Sequence, residues 1–247
     1  MQKISTLKIA SIAAFIGVLV VNYLANALPI NGISTGDISN KYYNEFAPAG
    51  ITFSIWGIIY LLLIGTLIWQ YKLVGVSIGK LNKWWLANSL LNIAWLFAWH
   101  YELLPLTVVL MLGILYTLVQ INETITEDLP TNLSVKWLPQ SAFGVYLGWI
   151  CIATIANFTT LLVSINFNKF GLTDTFWTGA VIGIGSITAA MLVVRFKNIY
   201  IGLAVIWALA GIIIRQNQLH GHFTAISWAA VTYGLAVVVS LFYAKRV

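Results

Sequence analysis

The sequence predicts an all-α fold, a polytopic membrane helix bundle of about eight transmembrane helices. Hydrophobic residues make up 60% of the 247-residue chain and charged residues only 8%, and the mean hydropathy is +0.89. Soluble domains carry about 25% charged residues, so this chain could not cover its surface with polar groups. The apolar residues also form continuous runs, whereas the strands of a membrane barrel show about ten alternating residues.

Eight apolar runs follow one another along the chain. They are residues 7–28, 51–71, 84–101, 104–121, 138–165, 176–194, 199–214 and 223–244. The third, fourth and seventh fall short of the roughly 20 residues that a membrane helix needs, so they require neighbouring helices or tilt. We expect the first run to be a retained helix, because its apolar part exceeds the 7–15 residues usual in a cleaved signal peptide.

The basic residues indicate the orientation of the chain. They stand singly or in pairs at the ends of apolar runs, which is typical of membrane flanks and not of a nucleic-acid-binding surface. With a cytoplasmic N-terminus, ten lie inside: Lys3, Lys8, Lys72, Lys80, Lys83, Lys136, Arg195, Lys197, Lys245 and Arg246. Only Lys41, Lys169 and Arg215 lie outside. The asymmetry predicts an even number of spans, with both termini cytoplasmic, and we expect a bacterial plasma membrane.

The charged residues and short motifs argue against several functions. No run carries Asp, Glu, Lys or Arg near its centre, whereas ion-coupled transporters and voltage sensors need such groups. His220 and His222 lack a third metal ligand nearby, so a solvated loop is favoured over a metal site. Glu45 is a lone acid in the first outer loop, and the single Cys151 excludes a disulfide within the chain. The sequence also lacks the usual phosphate-binding and hydrolase motifs.

Amides and aromatic rings instead recur at helical spacing. The stripes are Asn22 and Asn26; Trp56 and Tyr60; Asn88, Asn92, Trp95 and Trp99; and Tyr146, Trp149, Ala153 and Asn157. An amide facing lipid is costly, so each stripe should face protein or a cavity. One interpretation is that amides and tryptophans tie the helices together. The other is a shared pocket for a large, flat, mostly apolar ligand with a polar edge.

Two glycine pairs indicate close helix packing. Gly144 and Gly148 in the fifth run, and Gly179 and Gly183 in the sixth, have the GxxxG spacing. Small residues one turn apart let helix backbones approach, either within the protein or between protomers.

Three segments resemble the tryptophan-rich sensory protein/translocator protein (TspO/MBR) family. The first is Phe46-Ala-Pro-Ala-Gly-Ile-Thr-Phe-Ser-Ile-Trp-Gly-Ile-Ile-Tyr60, and the second is Leu91-Asn92-Ile-Ala-Trp95. The third is Leu138-Pro139, followed by Tyr146-Leu-Gly-Trp149 and Ala153-Thr-Ile-Ala-Asn157. Their order and spacing match the family over roughly residues 5–165.

The resemblance implies a five-helix bundle, often dimeric, that binds porphyrins, haem or sterol-like lipids beneath its first loop. The positions matching the family are Pro48, Gly50, Trp56, Asn92, Trp95, Trp149, Ala153 and Asn157. The predicted ligand-binding residues combine the helical positions of this set with three more residues of the stripes. They are Trp56, Tyr60, Asn92, Trp95, Trp99, Tyr146, Trp149, Ala153 and Asn157. Tyr42, Tyr43, Pro48 and Gly50 form the predicted lid loop. The lid departs from the family pattern, since Tyr42-Tyr43 replaces Trp-Tyr and Pro48-Ala-Gly50-Ile replaces Pro-Pro-Gly-Trp.

The chain is also longer than compact members of the family. We predict a TspO-like core at residues 1–165 and three additional membrane helices at 166–247. These could brace the bundle, enlarge a dimer interface or complete a second cavity.

The leading functional prediction is a sensor or translocator that binds a tetrapyrrole or another large apolar ligand and needs no cofactor. The alternatives are an enzyme that degrades or modifies a tetrapyrrole, which lacks a visible acid–base pair, and a passive lipid or carotenoid carrier. The expected partners are membrane lipids, the small apolar ligand and a second copy of the chain; no nucleic acid is expected.

Overall fold

The computed structural model describes residues 5–28, 30–71, 73, 75–129 and 133–246, and every regular element in these residues is helical. The helices are α1 (Thr6–Ala27), α2 (Thr35–Lys41), α3 (Ile55–Gln70), α4 (Val76–His100), α5 (Leu104–Glu123), α6 (Leu133–Ser164), α7 (Asp174–Phe196), α8 (Ile199–His220) and α9 (Ala225–Arg246). The prediction of an all-α, polytopic membrane bundle is confirmed.

Each predicted apolar run lies on a helix of its own. Within the described residues, seven helices are long and apolar enough to cross a membrane. α4 is not among them, because Asn82, Asn88 and Asn92 lower its hydropathy. Its 25 residues nevertheless reach about 38 Å, which exceeds the roughly 30 Å hydrocarbon layer. Seven of the eight predicted spans therefore meet both the length and the hydropathy expected of a membrane helix, and α4 meets the length alone.

By their contacts, the residues form two compact units. Unit 1 comprises Met1–Ile38 and Ile59–Phe143, and unit 2 comprises Ser39–Ile58 and Gly144–Val247. Each contains part of α3 and part of α6. The boundary at residue 165 proposed from the sequence stays a prediction.

In unit 1, α4 packs against both α1 and α5. Trp85 of α4 lies between two rings, with centroids 5.5 Å from Phe15 of α1 and 5.2 Å from Phe143 of α6. Polar side chains add hydrogen bonds between the same helices. Asn88 Nδ2 of α4, for example, donates to Thr117 Oγ1 of α5 at 2.9 Å. The core of unit 1 therefore combines aromatic packing with buried amides.

Lys8, near the start of α1, caps the end of α3. Its Nζ donates to the carbonyl oxygens of Gln70, Tyr71 and Leu73 at 2.5, 2.7 and 3.1 Å. The last carbonyl groups of a helix lack hydrogen-bond donors within the helix. A cation at this end also interacts favourably with the negative end of the helix dipole. The beginning of α1 and the end of α3 therefore lie at the same end of unit 1, as expected for antiparallel neighbours.

In unit 2, α7 and α8 both pack against α9, and glycines bring several helices close together. A Cβ on Gly148 of α6 would lie 2.2 Å from the carbonyl oxygen of Ile201 in α8. A Cβ on Gly183 of α7 would lie 2.7 Å from the ring of Tyr233 in α9. Both GxxxG pairs thus contribute a glycine to helix packing inside this unit. Self-association of the chain stays a prediction.

Candidate functional site

An aromatic cluster occupies unit 2 where α3 begins beside α6. The Trp56 ring lies 5.5 Å from that of Tyr146 and 6.4 Å from that of Trp149, centroid to centroid. Phe53 adds an edge contact to Trp149 at 5.6 Å. Such edge-to-face geometry is favourable for aromatic rings. We call these four residues the aromatic cluster.

Among the predicted site residues of the same helix, two buried polar atoms have no hydrogen-bond partner in the described part of the chain. They are the indole Nε1 of Trp149 and the amide Oδ1 of Asn157, with Ala153 one turn from each along α6. A buried polar group left unsatisfied costs about 1–3 kcal/mol. A donor and an acceptor unpaired on one helix face are therefore available to the polar edge of a ligand.

The predicted residues of α4 belong to unit 1. Trp95 stacks on Trp99 with centroids 5.5 Å apart and planes 21° from parallel, and the buried Trp95 Nε1 lacks a partner. Asn92 Oδ1 accepts from Asn22 at 3.3 Å, and Trp99 Nε1 donates to the Thr35 carbonyl oxygen at 3.2 Å. Asn92 and Trp99 thus tie elements of unit 1 together.

Tyr60 is a half-buried residue of α3 in unit 1. Trp56, Tyr146, Trp149 and Asn157 belong to unit 2, whereas Tyr60, Asn92, Trp95 and Trp99 belong to unit 1. That all of them line one pocket stays a prediction.

The predicted lid loop belongs to unit 2, where it is fastened to α8. The amide of Ala49 donates to the carbonyl oxygen of Gly211 at 3.0 Å, and Trp207 Nε1 donates to the carbonyl oxygen of Thr52 at 2.9 Å. Pro48 is buried here, and Gly50 opens a 3₁₀ turn. Helix α8, one of the three helices predicted to be additional, therefore holds the segment that the family resemblance identifies as the lid.

Glu45 is the polar centre of this loop. Its carboxylate accepts from Gln216 Nε2 at 2.6 Å and from the Tyr43 hydroxyl at 2.8 Å, and His220 Nε2 lies 3.7 Å away. Partial burial raises the pKa of the Tyr43 phenol. Its hydrogen bond to Glu45 and the negative charge of Glu45 raise this pKa further. The sequence marks Glu45 only as a lone acid, because its partner Gln216 lies 171 residues further along the chain.

A cavity of about 330 Å³ opens beside Glu45. Three segments supply its walls: Tyr43, Asn44 and Glu45 of the loop; Thr159, Leu162 and Val163 of α6; and Asn166, Phe167, Lys169, Asp174, Trp177 and Thr178 where α6 passes into α7. We call it the α6–α7 cavity. Neither Trp56 nor Trp149 lines it, so it differs from the predicted tetrapyrrole pocket.

His100 fastens the segment that follows α1 in unit 1. Its fully buried ring lies 3.1 Å from the Ile30 carbonyl oxygen through Nδ1 and 3.1 Å from Thr35 Oγ1 through Nε2. Asn31 Nδ2 donates to the His100 carbonyl oxygen at 3.0 Å. Sequence reasoning missed this role, because a single histidine at the end of an apolar run carries no spacing signal.

Comparison with known proteins agrees with the resemblance found in the sequence. A family model described as TSPO-like protein matches residues 8–243. No curated protein and no solved structure matches the chain. The family match extends beyond residue 165 and therefore includes the three helices predicted to be additional.

Proposed function

The chain belongs to the TSPO-like protein family, and on that basis we propose that it binds a large, flat, mostly apolar ligand within the membrane, as a sensor or translocator. A porphyrin or haem is the first ligand to test. The ligand arrives from the membrane or its surface and leaves chemically unchanged. The protein needs no cofactor for this role.

The unpaired Trp149 indole N–H and Asn157 amide oxygen, on the helix that carries two rings of the aromatic cluster, support the proposal. A flat macrocycle can stack on an indole, and such ring contacts contribute about 0.5–1.5 kcal/mol each. A pyrrole N–H can donate to the Asn157 amide oxygen, and a carboxylate on the ligand can accept from the Trp149 N–H. Both pairings would remove the cost of a buried, unsatisfied polar atom.

The test is a titration of protoporphyrin into the purified chain, followed by the Soret absorbance. Trp149→Phe should weaken binding a few-fold to tenfold, since one ring contact and one donor are lost. Trp177→Phe and Trp228→Phe, in the additional helices, should bind like the wild type. Equal affinity in Trp149→Phe and the wild type would remove the support for this site.

The same titration separates the alternative functions. A new product spectrum on illumination of the bound porphyrin would identify an enzyme. Exchange of bound ligand between vesicles, with no product, would instead favour a carrier.

We further propose that both termini are cytoplasmic. In the described part of unit 1, every lysine lies toward the end where α1 and α4 begin: Lys8, Lys80, Lys83 and Lys136. A concentration of lysine on one side favours retention of that side in the cytoplasm. Lys3 and Lys72, which the sequence analysis also assigns to this side, lie outside the described residues.

Cysteine labelling of intact cells tests the orientation in a Cys151→Ser background. Asn40→Cys and Phe170→Cys should react with a reagent that cannot cross the membrane, and Lys83→Cys should react only after lysis. The reverse pattern would mean that the chain is inserted the other way round.

A further inference from the structure

The α6–α7 cavity is a second feature of unit 2, separate from the aromatic cluster. Three aromatic rings line it, those of Tyr43, Phe167 and Trp177. The rings of Phe167 and Trp177 lie 5.7 Å apart at an angle of 56°, so they present surfaces in different directions. Rings from three separate segments around one space resemble the cages that surround organic cations.

The charged groups in the lining have a negative balance. Glu45 and Asp174 contribute two carboxylates, and Lys169 contributes one ammonium, which is paired with Asp174. Of the nearby positive groups, Arg215 and His220 do not line the cavity. The Glu45 carboxylate therefore has no lysine partner in the lining, and the His220 imidazole, 3.7 Å away, adds a positive charge only when it is protonated.

A buried hydroxyl provides an independent sign of a ligand. Thr159 is 6% exposed, lines the cavity, and its Oγ1 has no hydrogen-bond partner. Its neighbours on α6 behave in the usual way for helical threonines. Thr154 donates to the Ile150 carbonyl oxygen at 2.7 Å, and Thr160 donates to that of Ala156 at 3.0 Å.

The amide oxygen of Asn44, also in the lining, is likewise buried without a partner. Thr159 and Asn44 thus offer two unused acceptors beside a carboxylate.

We propose that the α6–α7 cavity binds the ammonium group of a small organic cation, which is either a free molecule or the headgroup of a lipid. The rings stabilise the cation through their faces, and Glu45 supplies the opposite charge. The unused acceptors take the polar hydrogens of the cation or of its substituents. The volume of about 330 Å³ lies at the lower end of the range for small-molecule sites.

This site is separate from the proposed tetrapyrrole pocket, and the two can fail independently. Its probe is choline, compared with 3,3-dimethylbutan-1-ol, which has nearly the same shape without the charge. Both are titrated calorimetrically into the full chain in phosphatidylglycerol nanodiscs. We expect saturable choline binding and at least tenfold weaker binding of the alcohol. Equal affinity for the two, or no choline binding, overturns the proposal.

Variants locate the binding. Glu45→Gln keeps the shape of the side chain and removes its charge, so choline affinity should fall at least fivefold. Trp177→Phe should weaken binding about threefold by weakening the ring contact with the cation. Trp149→Phe, the variant that tests the tetrapyrrole pocket, should leave choline affinity unchanged. Wild-type choline affinity in both folded variants, Glu45→Gln and Trp177→Phe, overturns the assignment, and circular dichroism confirms folding.

The source of the ammonium group follows from changing the lipid. In phosphatidylcholine nanodiscs, a headgroup in the cavity would compete, so the apparent affinity for added choline would fall. Unchanged affinity in the two lipids would identify a free cation as the occupant. Either result supports the cavity as an ammonium site, provided that choline binds in phosphatidylglycerol.

Discussion

Unit 1 and unit 2 hold their helices together by different means. In unit 1, polar side chains join neighbouring helices, as where Ser11 Oγ of α1 donates to Asn82 Oδ1 of α4 at 2.6 Å. In unit 2, glycines let the backbones approach instead, and a Cβ on Gly211 would lie 2.0 Å from Thr52 Oγ1. The corresponding distances at Gly17 and Gly113 of unit 1 are 3.2 and 3.1 Å, which a flexible neighbour can accommodate.

The difference determines which polar groups remain available. In unit 1, Lys8, Asn82 and Asn88 are all engaged by protein atoms. In unit 2, a single helix, α6, carries three of the buried polar atoms without partners, on Trp149, Asn157 and Thr159. Polar residues in membrane helices therefore have two uses, and hydrogen bonding distinguishes them better than residue type. The division is not complete, since Gln70 Oε1 and Trp95 Nε1 in unit 1 are also unpaired.

The largest expected effect concerns glycine packing in unit 2. Gly148→Ala places a methyl group against the backbone of Ile201, which cannot move as a side chain can, and should cost about 3 kcal/mol or more. Gly57→Ala, also in unit 2, meets open space and should gain up to about 1 kcal/mol from helix propensity. Unfolding followed by circular dichroism in detergent measures both. Similar stabilities for the two variants would contradict the close approach of α6 and α8.

The next effect concerns the helix cap in unit 1. Lys8→Met leaves three carbonyl oxygens at the end of α3 without their charged donor, and should cost about 2 kcal/mol. Lys80→Met is the matched control, because the ion pair of Lys80 with Asp128 is exposed. Solvent screens such pairs, so no measurable change in the thermal midpoint is expected there. Equal losses of stability in both variants would show that removing a lysine charge destabilises the protein wherever it lies, and that the cap has no effect of its own.

An amide from each unit tests the comparison directly. Asn88→Leu removes hydrogen bonds to the Ile114 carbonyl oxygen and Thr117 Oγ1, and should destabilise the protein by about 1 kcal/mol. Asn157→Leu removes an acceptor that no protein group uses, so stability should stay the same or rise while porphyrin affinity falls. If Asn157→Leu instead costs as much as Asn88→Leu, the proposed difference between the units disappears.

The smallest expected effect is a shift in the pKa of the Tyr43 phenol, in unit 2. Its pKa is raised from the ordinary value of 10.0, so the folded protein favours the protonated phenol. Any stability from this bond is present below the ordinary pKa and is lost as the pH rises through the higher folded value. The absorbance of tyrosinate, compared between the wild type and Tyr43→Phe, should show one phenol that titrates above 10.0. A midpoint at or below that value would contradict the partial burial of the phenol and its bond to Glu45.

The sequence predicts the membrane helices well, because each needs a long apolar run whatever it packs against. It misplaces elements that are polar. α4 begins at Val76 and not at residue 84, since Lys80, Asn82 and Lys83 hide its first two turns among loop-like residues. The short helix α2 and the π-helical turn Thr124–Asp128 have no apolar run at all, so hydropathy gives no sign of them.

The candidate site shows a similar limit. Helical spacing indicates Trp56, Tyr146 and Trp149, and the family resemblance indicates the two tryptophans. The structure brings these three rings together in unit 2. The α6–α7 cavity could not be foreseen, because its walls come from segments more than 100 residues apart. Spacing within one helix indicates which residues share a face of that helix. A cavity depends instead on which distant segments pack against one another in the folded chain.

The cap formed by Lys8 also constrains the order of events during synthesis. The residues that supply its acceptors are made 62 to 65 positions after Lys8 itself. At about 5–20 residues per second, the ribosome needs roughly 3 to 12 s to reach them. Until then the Lys8 ammonium group lacks its three carbonyl acceptors, so the cap cannot form. The nascent chain therefore completes this hairpin only after its second span has emerged.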